Sequence, residues 1–218
     1  MTRAIVFDLD GTLIDSLPDM TASTNTLLVE EGLPPLDPSV VAGFVGSGVR
    51  VFIDRLIGAS DLQASQYDDL MERFMALYVE ATDHTEVFPH VIETLQALRD
   101  SGYALGICTN KPTAPMNAVL KAVGLDTVLD VAVAGDTLIQ RKPDPEPLHH
   151  AFRQLGATQG VYVGDSDVDA ETAQRAEVPF AFFTEGIRTK SIADIPHDAA
   201  FGDFRELPAI CDGLIRPI

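Results

Sequence analysis

Hydrophobic and polar positions in this chain alternate between two textures. Short apolar runs of strand length occur at Ala4–Phe7, Tyr103–Cys108, Val131–Ala134, Gly160–Val163 and Phe180–Phe183. Each is rich in β-formers and breaks abruptly into polar or glycine residues, the pattern of a buried strand. Between them lie stretches with helical spacing. Pro89–Ser101 ends at Gly102, Pro112–Val123 at Gly124 and Pro145–Leu155 at Gly156, and Val168–Ala176 follows Gly164-Asp165-Ser166. After Gly186 the pattern weakens to a short strand near 199–201 and a helix from about Phe204 to Leu214.

The stretch from 17 to 84 differs. A helix begins after Ser16, which suits an N-cap, with Pro18 in the first turn and Asp19 near the positive helix end. It runs through Leu27, Leu28 and Val29 to Gly32, and Pro34, Pro35 and Pro38 mark a break. Val40–Val45 leads to the turn Gly46-Ser47-Gly48. Two amphipathic helices follow, one carrying Val49, Phe52, Ile53, Leu56 and Ile57, the other spanning roughly Asp61–Thr82 with Tyr67, Leu70, Met71, Phe74, Leu77 and Tyr78. This stretch contains no convincing strand. Repeated strand–helix units predict an α/β fold: a three-layer, Rossmann-like, mostly parallel sheet formed by 1–16 and 85–218. Residues 17–84 are expected to form an inserted all-helical cap.

Composition narrows the class. With 218 residues the chain can bury a sizeable core, and no apolar run is long enough to cross a bilayer. The start, Met1-Thr2-Arg3, leads straight into the first strand, so neither signal nor transit peptide is expected. Two cysteines, Cys108 and Cys211, suggest neither a disulfide framework nor a zinc site and fit a cytoplasmic location. The formal net charge of −18 argues against nucleic acid or anionic membrane as partner, and an anionic substrate would need local positive charge.

Ligands of such sheets bind beyond the carboxyl ends of the strands. Polar residues at those ends are Asp8 and Asp10, Thr109 and Asn110, and Asp165 with Asp169; Lys142 lies in the loop Arg141-Lys142-Pro143-Asp144-Pro145. Alternation along an extended chain points Asp8 and Asp10 to the same side. A hard divalent cation such as Mg²⁺ would relieve their repulsion. Carboxylates, a hydroxyl, an amide and a lysine converging on one crevice are the inventory that phosphoryl transfer requires. Other residues read as structure. His149 and His150 are adjacent on a helix and point apart, Cys108 reads as a core thiol, and the aromatic and Met positions of the 61–82 helix read as cap core. Gly43, Gly46 and Gly48 follow no strand, which speaks against a dinucleotide-binding turn; a loop facing the crevice fits them better. Lys111 suits substrate and solvent equally.

These motifs, in this order, resemble the haloacid dehalogenase superfamily over essentially the whole chain. Asp8-Leu9-Asp10-Gly11-Thr12 is similar to its first motif, Thr109 to its second, Lys142 to its third and Gly164-Asp165-Ser166-Asp167-Val168-Asp169 to its fourth. The segments Asp10–Ser16, Gly46–Gly48, Lys142–Leu148 and Val163–Ser166 most resemble the branch acting on 2-phosphoglycolate. Glu177 departs from relatives that often carry glycine there.

The resemblance implies the roles that follow. Asp8 is the nucleophile that forms an aspartyl-phosphate, and Asp10 is the general acid and base. Mg²⁺ sits on Asp8, Asp165 and the Asp10 carbonyl, with Asp169 one layer behind. Thr109 and Asn110 hold phosphoryl oxygens, and Lys142 offsets charge. From the residues themselves rather than the resemblance, Gly46, Ser47 and Arg50 are expected at the crevice mouth, because glycines let the backbone approach a small ligand, with Arg50 meeting a substrate carboxylate. The expected partner is a small anionic phosphorylated metabolite, and the expected state is monomer or homodimer. Alternatives are a sugar-phosphate mutase or other phosphotransferase, or a phosphatase for another small metabolite or for pyrophosphate.

Overall fold

A computed structural model describes residues 2–188 and 190–215. Met1 and the last three residues of the expected core segment therefore lie outside the described residues. Strand β1 (Thr2–Phe7) forms the middle of a six-stranded sheet with β4 (Tyr103–Cys108), β5 (Val131–Val133), β6 (Ala157–Gly164), β7 (Phe180–Phe183) and β8 (Ala199–Phe201). The order is β5-β4-β1-β6-β7-β8 and every pairing is parallel. The chain winds one way from β1 to β4 and β5, then returns to the other side of β1 for β6. This reversal opens a crevice beyond the C-terminal end of β1.

The apolar runs are continuous because both faces of the sheet are covered. Side chains alternate between two cores. Ile5, Phe7, Leu105, Ile107, Val161, Val163, Ala181 and Phe183 pack with α5 (Val91–Asp100), α6 (Thr113–Ala122) and α9 (Leu207–Leu214). Val6, Cys108, Tyr162, Phe180 and Phe182 pack with α7 (Glu146–Gln154) and α8 (Asp167–Ala176). The three-layer α/β core is as expected. β6 begins three residues earlier than its apolar run, at Ala157. The last helix opens as a 3₁₀ turn, Phe204–Glu206.

Between β1 and β4 the chain makes α1 (Leu17–Glu30), α2 (Pro38–Ala42), α3 (Val49–Ala59) and α4 (Tyr67–Glu80). The long helix expected over 61–82 is shorter, because Gln63 and Gln66 cap each other around a 3₁₀ turn, Ala64–Gln66. These helices bury a cluster of their own, Met20, Leu27, Leu28, Phe52, Ile53, Leu56, Leu70 and Phe74 among it. One feature escaped the periodicity. Residues Ile14–Asp15 (β2) and Glu86–Val87 (β3) pair antiparallel, so the helical segment leaves and returns through one two-strand ribbon. Asp19 reinforces it: the carboxylate accepts from the His84 amide at 3.1 Å and from Thr85 Oγ1 at 2.6 Å. Asp19 thus ties the two ends of the segment together, a use the expected helix-end placement did not include. Among the described residues, no helix is long and apolar enough to cross a membrane.

Candidate active site

The strand ends supply the site, and glycines let them meet. Gly11 adopts φ +87°, and a Cβ there would collide with the Asp165 carboxylate. Gly186, in the loop after β7, lies back to back with it: a Cβ there would collide with Gly11 O and Asp165 Cβ. Between them Asp165 is clamped. Its Oδ1 accepts from Thr12 Oγ1 at 2.6 Å and its Oδ2 from the Ile187 amide at 2.8 Å.

Asp8, Asp165 and Asp169 are all buried and bring carboxylate oxygens within 4.8 Å of one another. Burial, with Asp169 and Asp165's other neighbour Asp8, pushes the Asp165 carboxyl well above the usual range. Burial likewise raises Asp8, to about 6, against the lowering pull of Lys142. Lys142 enters this cluster as the counter-charge. Its Nζ lies 2.9 Å from Asp8 Oδ1, 2.7 Å from Asp169 Oδ1 and 2.8 Å from the Tyr162 hydroxyl. Burial disfavours that ammonium, but Asp169 and Asp8 outweigh it and hold its pKa above the ordinary lysine value.

The donor set fits a hard divalent cation. Asp8 is buried, and the Lys142 ammonium 2.9 Å from its Oδ1 is shared with Asp169. Three buried carboxylates within 4.8 Å of one another against that one ammonium leave negative charge uncompensated, a place for a cation with oxygen ligands. Asp169 is otherwise committed. Its Oδ1 accepts from Lys142 and Tyr162, and its Oδ2 from Ser166 Oγ at 2.5 Å and the Ser166 amide at 3.2 Å. It orients Lys142 and closes the N-terminus of α8 in a capping box.

Asp10 belongs to a second centre. Its Oδ1 accepts from Ser16 Oγ at 2.6 Å and from Lys111 Nζ at 2.9 Å, and Lys111 also donates to the Tyr78 hydroxyl at 2.6 Å. Ser16 does stand at the N-cap of α1, but its side chain makes no cap bond because Asp10 takes it. Lys111 is as buried as Lys142, each 5% exposed. Burial works against its charge, and Asp10 and Tyr78 raise its pKa above the ordinary value.

Asp8, Asp10, Thr109, Asn110 and Lys111 line one pocket, closed from the other side by Met20, Phe44, Val45, Gly46, Gly48, Val49, Phe52, Phe74 and Tyr78. The structure thus brings Gly46 to the pocket as expected. It leaves Arg50 exposed and Ser47 off the lining, where the Ser47 hydroxyl accepts from Arg55 at 3.3 Å. A helix start at Val49 turns the Arg50 side chain outward. The Asn110 side chain is also committed. Its Nδ2 donates to Gly46 O and Lys142 O and its Oδ1 accepts from the Lys142 amide, all at 3.0 Å. It ties the Lys142 loop and the Gly46 turn to the end of β4, with both amide protons spent.

Sequence reasoning missed Tyr162, Ser16 and Tyr78. Tyr162 sits mid-strand among core residues and gave no signal. Phe74 and Tyr78 were read as helix core; they are that and also pocket wall. Cys108 is buried as expected, its thiol pushed up to about 12 by burial. His149 does not face solvent freely: its Nε2 lies 3.1 Å from Ala176 O.

Strand order, crevice and motif placement are those of one hydrolase class. The sequence pattern of the haloacid dehalogenase-like hydrolases matches residues 5–183, and the chain belongs to that family. A phosphoglycolate phosphatase of Cereibacter sphaeroides is 41% identical, over 97% of this chain and 98% of its own. One from Rhodobacter capsulatus is 38% identical, over 98% of each. The crystal structure of a predicted phosphoglycolate phosphatase from Haemophilus somnus superposes with a TM-score of 0.91 at 32% identity, covering 96% of this chain and 97% of that one.

Proposed function

We propose that this chain is a Mg²⁺-dependent phosphatase that hydrolyses 2-phosphoglycolate to glycolate and phosphate through an aspartyl-phosphate. The observation that carries it is the pocket itself: a buried carboxylate, Asp8, set beside the Lys142 ammonium, shares it with a second carboxylate, Asp10, that is held by its own hydrogen bonds. The relatives' names supply the substrate.

Asp8, Asp165 and the Asp10 carbonyl would hold Mg²⁺, which when bound neutralises phosphoryl oxygens and the nucleophile's surroundings. Asp8 attacks phosphorus and carries the phosphoryl group. Asp10 gives a proton to the departing alkoxide and later takes one from the attacking water. Lys142 holds its charge beside Asp8 throughout, fixed by Asp169 and Tyr162. Thr109 positions a phosphoryl oxygen from the end of β4. The Asn110 side chain serves from behind, by holding the Lys142 loop. The 17–84 segment acts as a cap that seats over the strand ends and excludes water. The buried free thiols of Cys108 and Cys211 suit a reducing cytoplasm.

The test is a steady-state screen of purified protein over small phosphate monoesters and pyrophosphate, with Mg²⁺ and with EDTA. The expected outcome is free phosphate, highest kcat/KM for 2-phosphoglycolate, and loss of turnover in EDTA that Mg²⁺ restores. An isomerised phosphosugar, or undiminished turnover without metal, overturns the reading.

A further inference from the structure

The pocket has two walls of opposite character. On the strand-end side stand Asp8, Asp10 and Thr109. On the helical side Phe44 meets Phe52 edge to face, Phe52 stacks on Phe74 and Tyr78 continues the series tilted against Phe74, with ring centroids 5.5 Å, 4.8 Å and 5.3 Å apart in turn. Among the described residues lining this pocket, Lys111 is the one cationic side chain. Its ammonium has three protons; Asp10 and Tyr78 accept two. The Tyr78 hydroxyl accepts from Lys111, so its own proton is also left over, and among the described residues neither leftover proton has an acceptor. Two unused donors, both buried and one charged, border the same small space of about 30 Å³. Buried donors in this state ask for an acceptor, and a carboxylate with its several lone pairs answers both at once.

We infer that Lys111 and Tyr78 together form the subsite for a negatively charged tail on the substrate's leaving group, a carboxylate one carbon from the ester oxygen, and so determine specificity. This rests on the phosphatase reading above. The aromatic wall limits the tail in size, and the ammonium–hydroxyl pair selects it by charge. Arg50, exposed and off the lining, has no part in it. Because Tyr78 comes from α4 and Lys111 from the end of β4, the subsite is complete only with the helical segment seated. The Lys111 ammonium also lies over the Tyr78 ring, 4.2 Å from its centroid, so Tyr78→Phe keeps that contact and removes the hydroxyl alone.

The test compares 2-phosphoglycolate with ethyl phosphate, which has the same carbon count and a neutral tail, in wild type, Tyr78→Phe and Lys111→Met. Charge-assisted hydrogen bonds of this kind predict that Tyr78→Phe lowers the ratio of the two kcat/KM values by about tenfold and Lys111→Met by about a hundredfold, with the change carried in KM for 2-phosphoglycolate. Inhibition by glycolate should weaken in parallel. If both esters lose by the same factor in both variants, the pair serves Asp10 or the fold rather than the tail, and the inference falls. If wild type already prefers ethyl phosphate, it also falls. If wild type hydrolyses neither ester, the phosphatase reading fails with it, so the two failures are told apart by the wild-type rates.

Discussion

The molecule buries two lysines, Lys142 and Lys111, and holds them differently. Lys142 is enclosed by the sheet domain alone: Asp8 follows β1, Tyr162 lies on β6 and Asp169 on α8. Lys111 is held jointly, by Asp10 from the sheet and Tyr78 from the inserted helices. Both ammoniums are kept charged by buried carboxylates against the cost of desolvation. On the proposed mechanism the first is a charge that stays beside the nucleophile whatever the ester. The second exists in its full form only where two parts of the chain touch. The proposed chemistry is thus built within the sheet part alone, and the proposed discrimination across a junction.

The largest effect should come from removing the permanent charge. Lys142→Met leaves Asp8, Asp165 and Asp169 buried together without a counter-ion, and deleting one partner of a buried pair costs about 3–5 kcal/mol. Turnover should vanish for all esters, and urea unfolding should show a loss larger than that of Lys111→Met, whose Asp10 partner keeps the Ser16 bond. Equal losses would erase the distinction between the two lysines.

Asp10→Asn probes the junction side. General acid–base assistance is worth about 10²–10⁴-fold. An alkyl ester such as 2-phosphoglycolate should lose that much in single-turnover phosphorylation, while an aryl phosphate with a good leaving group should lose far less. Matching losses for the two would remove Asp10 from proton transfer.

A smaller effect follows from the metal-free cluster. Burial pushes the Asp8 carboxyl from an ordinary 3.8 up to about 6. A raised folded value means the native state binds the proton more tightly than the unfolded one. Stability from this group therefore rises as pH falls from about 6 toward 4 and is lost as pH climbs back. In EDTA the thermal stability of wild type relative to Asp8→Asn should follow that sign, a comparison in which lowered carboxyls such as Asp203 cancel, and Mg²⁺ should reverse it by favouring the ionised form. A metal-free wild type that loses stability relative to Asp8→Asn as pH falls from about 6 toward 4 would contradict it.

The smallest change lies away from both lysines. Glu177 ends α8 in the left-handed region at φ +56°. A side chain there costs about 1 kcal/mol relative to glycine. Glu177→Gly should raise stability by about that much at unchanged kcat/KM, which makes it a control for the other variants.

Much of this was legible in the sequence. The apolar runs found the strands because a parallel sheet covered on both faces needs uninterrupted hydrophobic stretches. The motif residues found the site because strand ends at a reversal of sheet order are where polar groups collect. What stayed hidden has physical reasons. Tyr162 lies on an apolar strand and shows its use only through a hydroxyl that reaches Lys142 and Asp169. Tyr78 completes a helical stripe of core residues, so periodicity explained it fully and masked its second role. Arg50 was expected at the crevice because the glycines before it suggested a close approach. The glycines do approach, but the helix starting at Val49 carries the arginine away. Two-residue strands such as Ile14–Asp15 and Glu86–Val87 are too short to leave any period at all.

That ribbon has a consequence of its own. The helical segment enters and leaves through neighbouring residues, Ile14 opposite Val87 and Asp15 opposite Glu86. Seen from the sheet, it is a loop with its ends already joined, and lengthening such a loop costs little: each doubling adds only about 0.6 kcal/mol of closure entropy. The segment is therefore transplantable. A different set of helices grafted between Asp15 and Glu86 would leave strand order, Asp8, Asp165 and Lys142 in place. It would replace the pocket's helical wall, with Ser16 and Gly46 that contact Asp10 and Asn110 and Tyr78 that reaches Lys111, so a lineage with this architecture can reshape its pocket by exchanging one contiguous piece of gene.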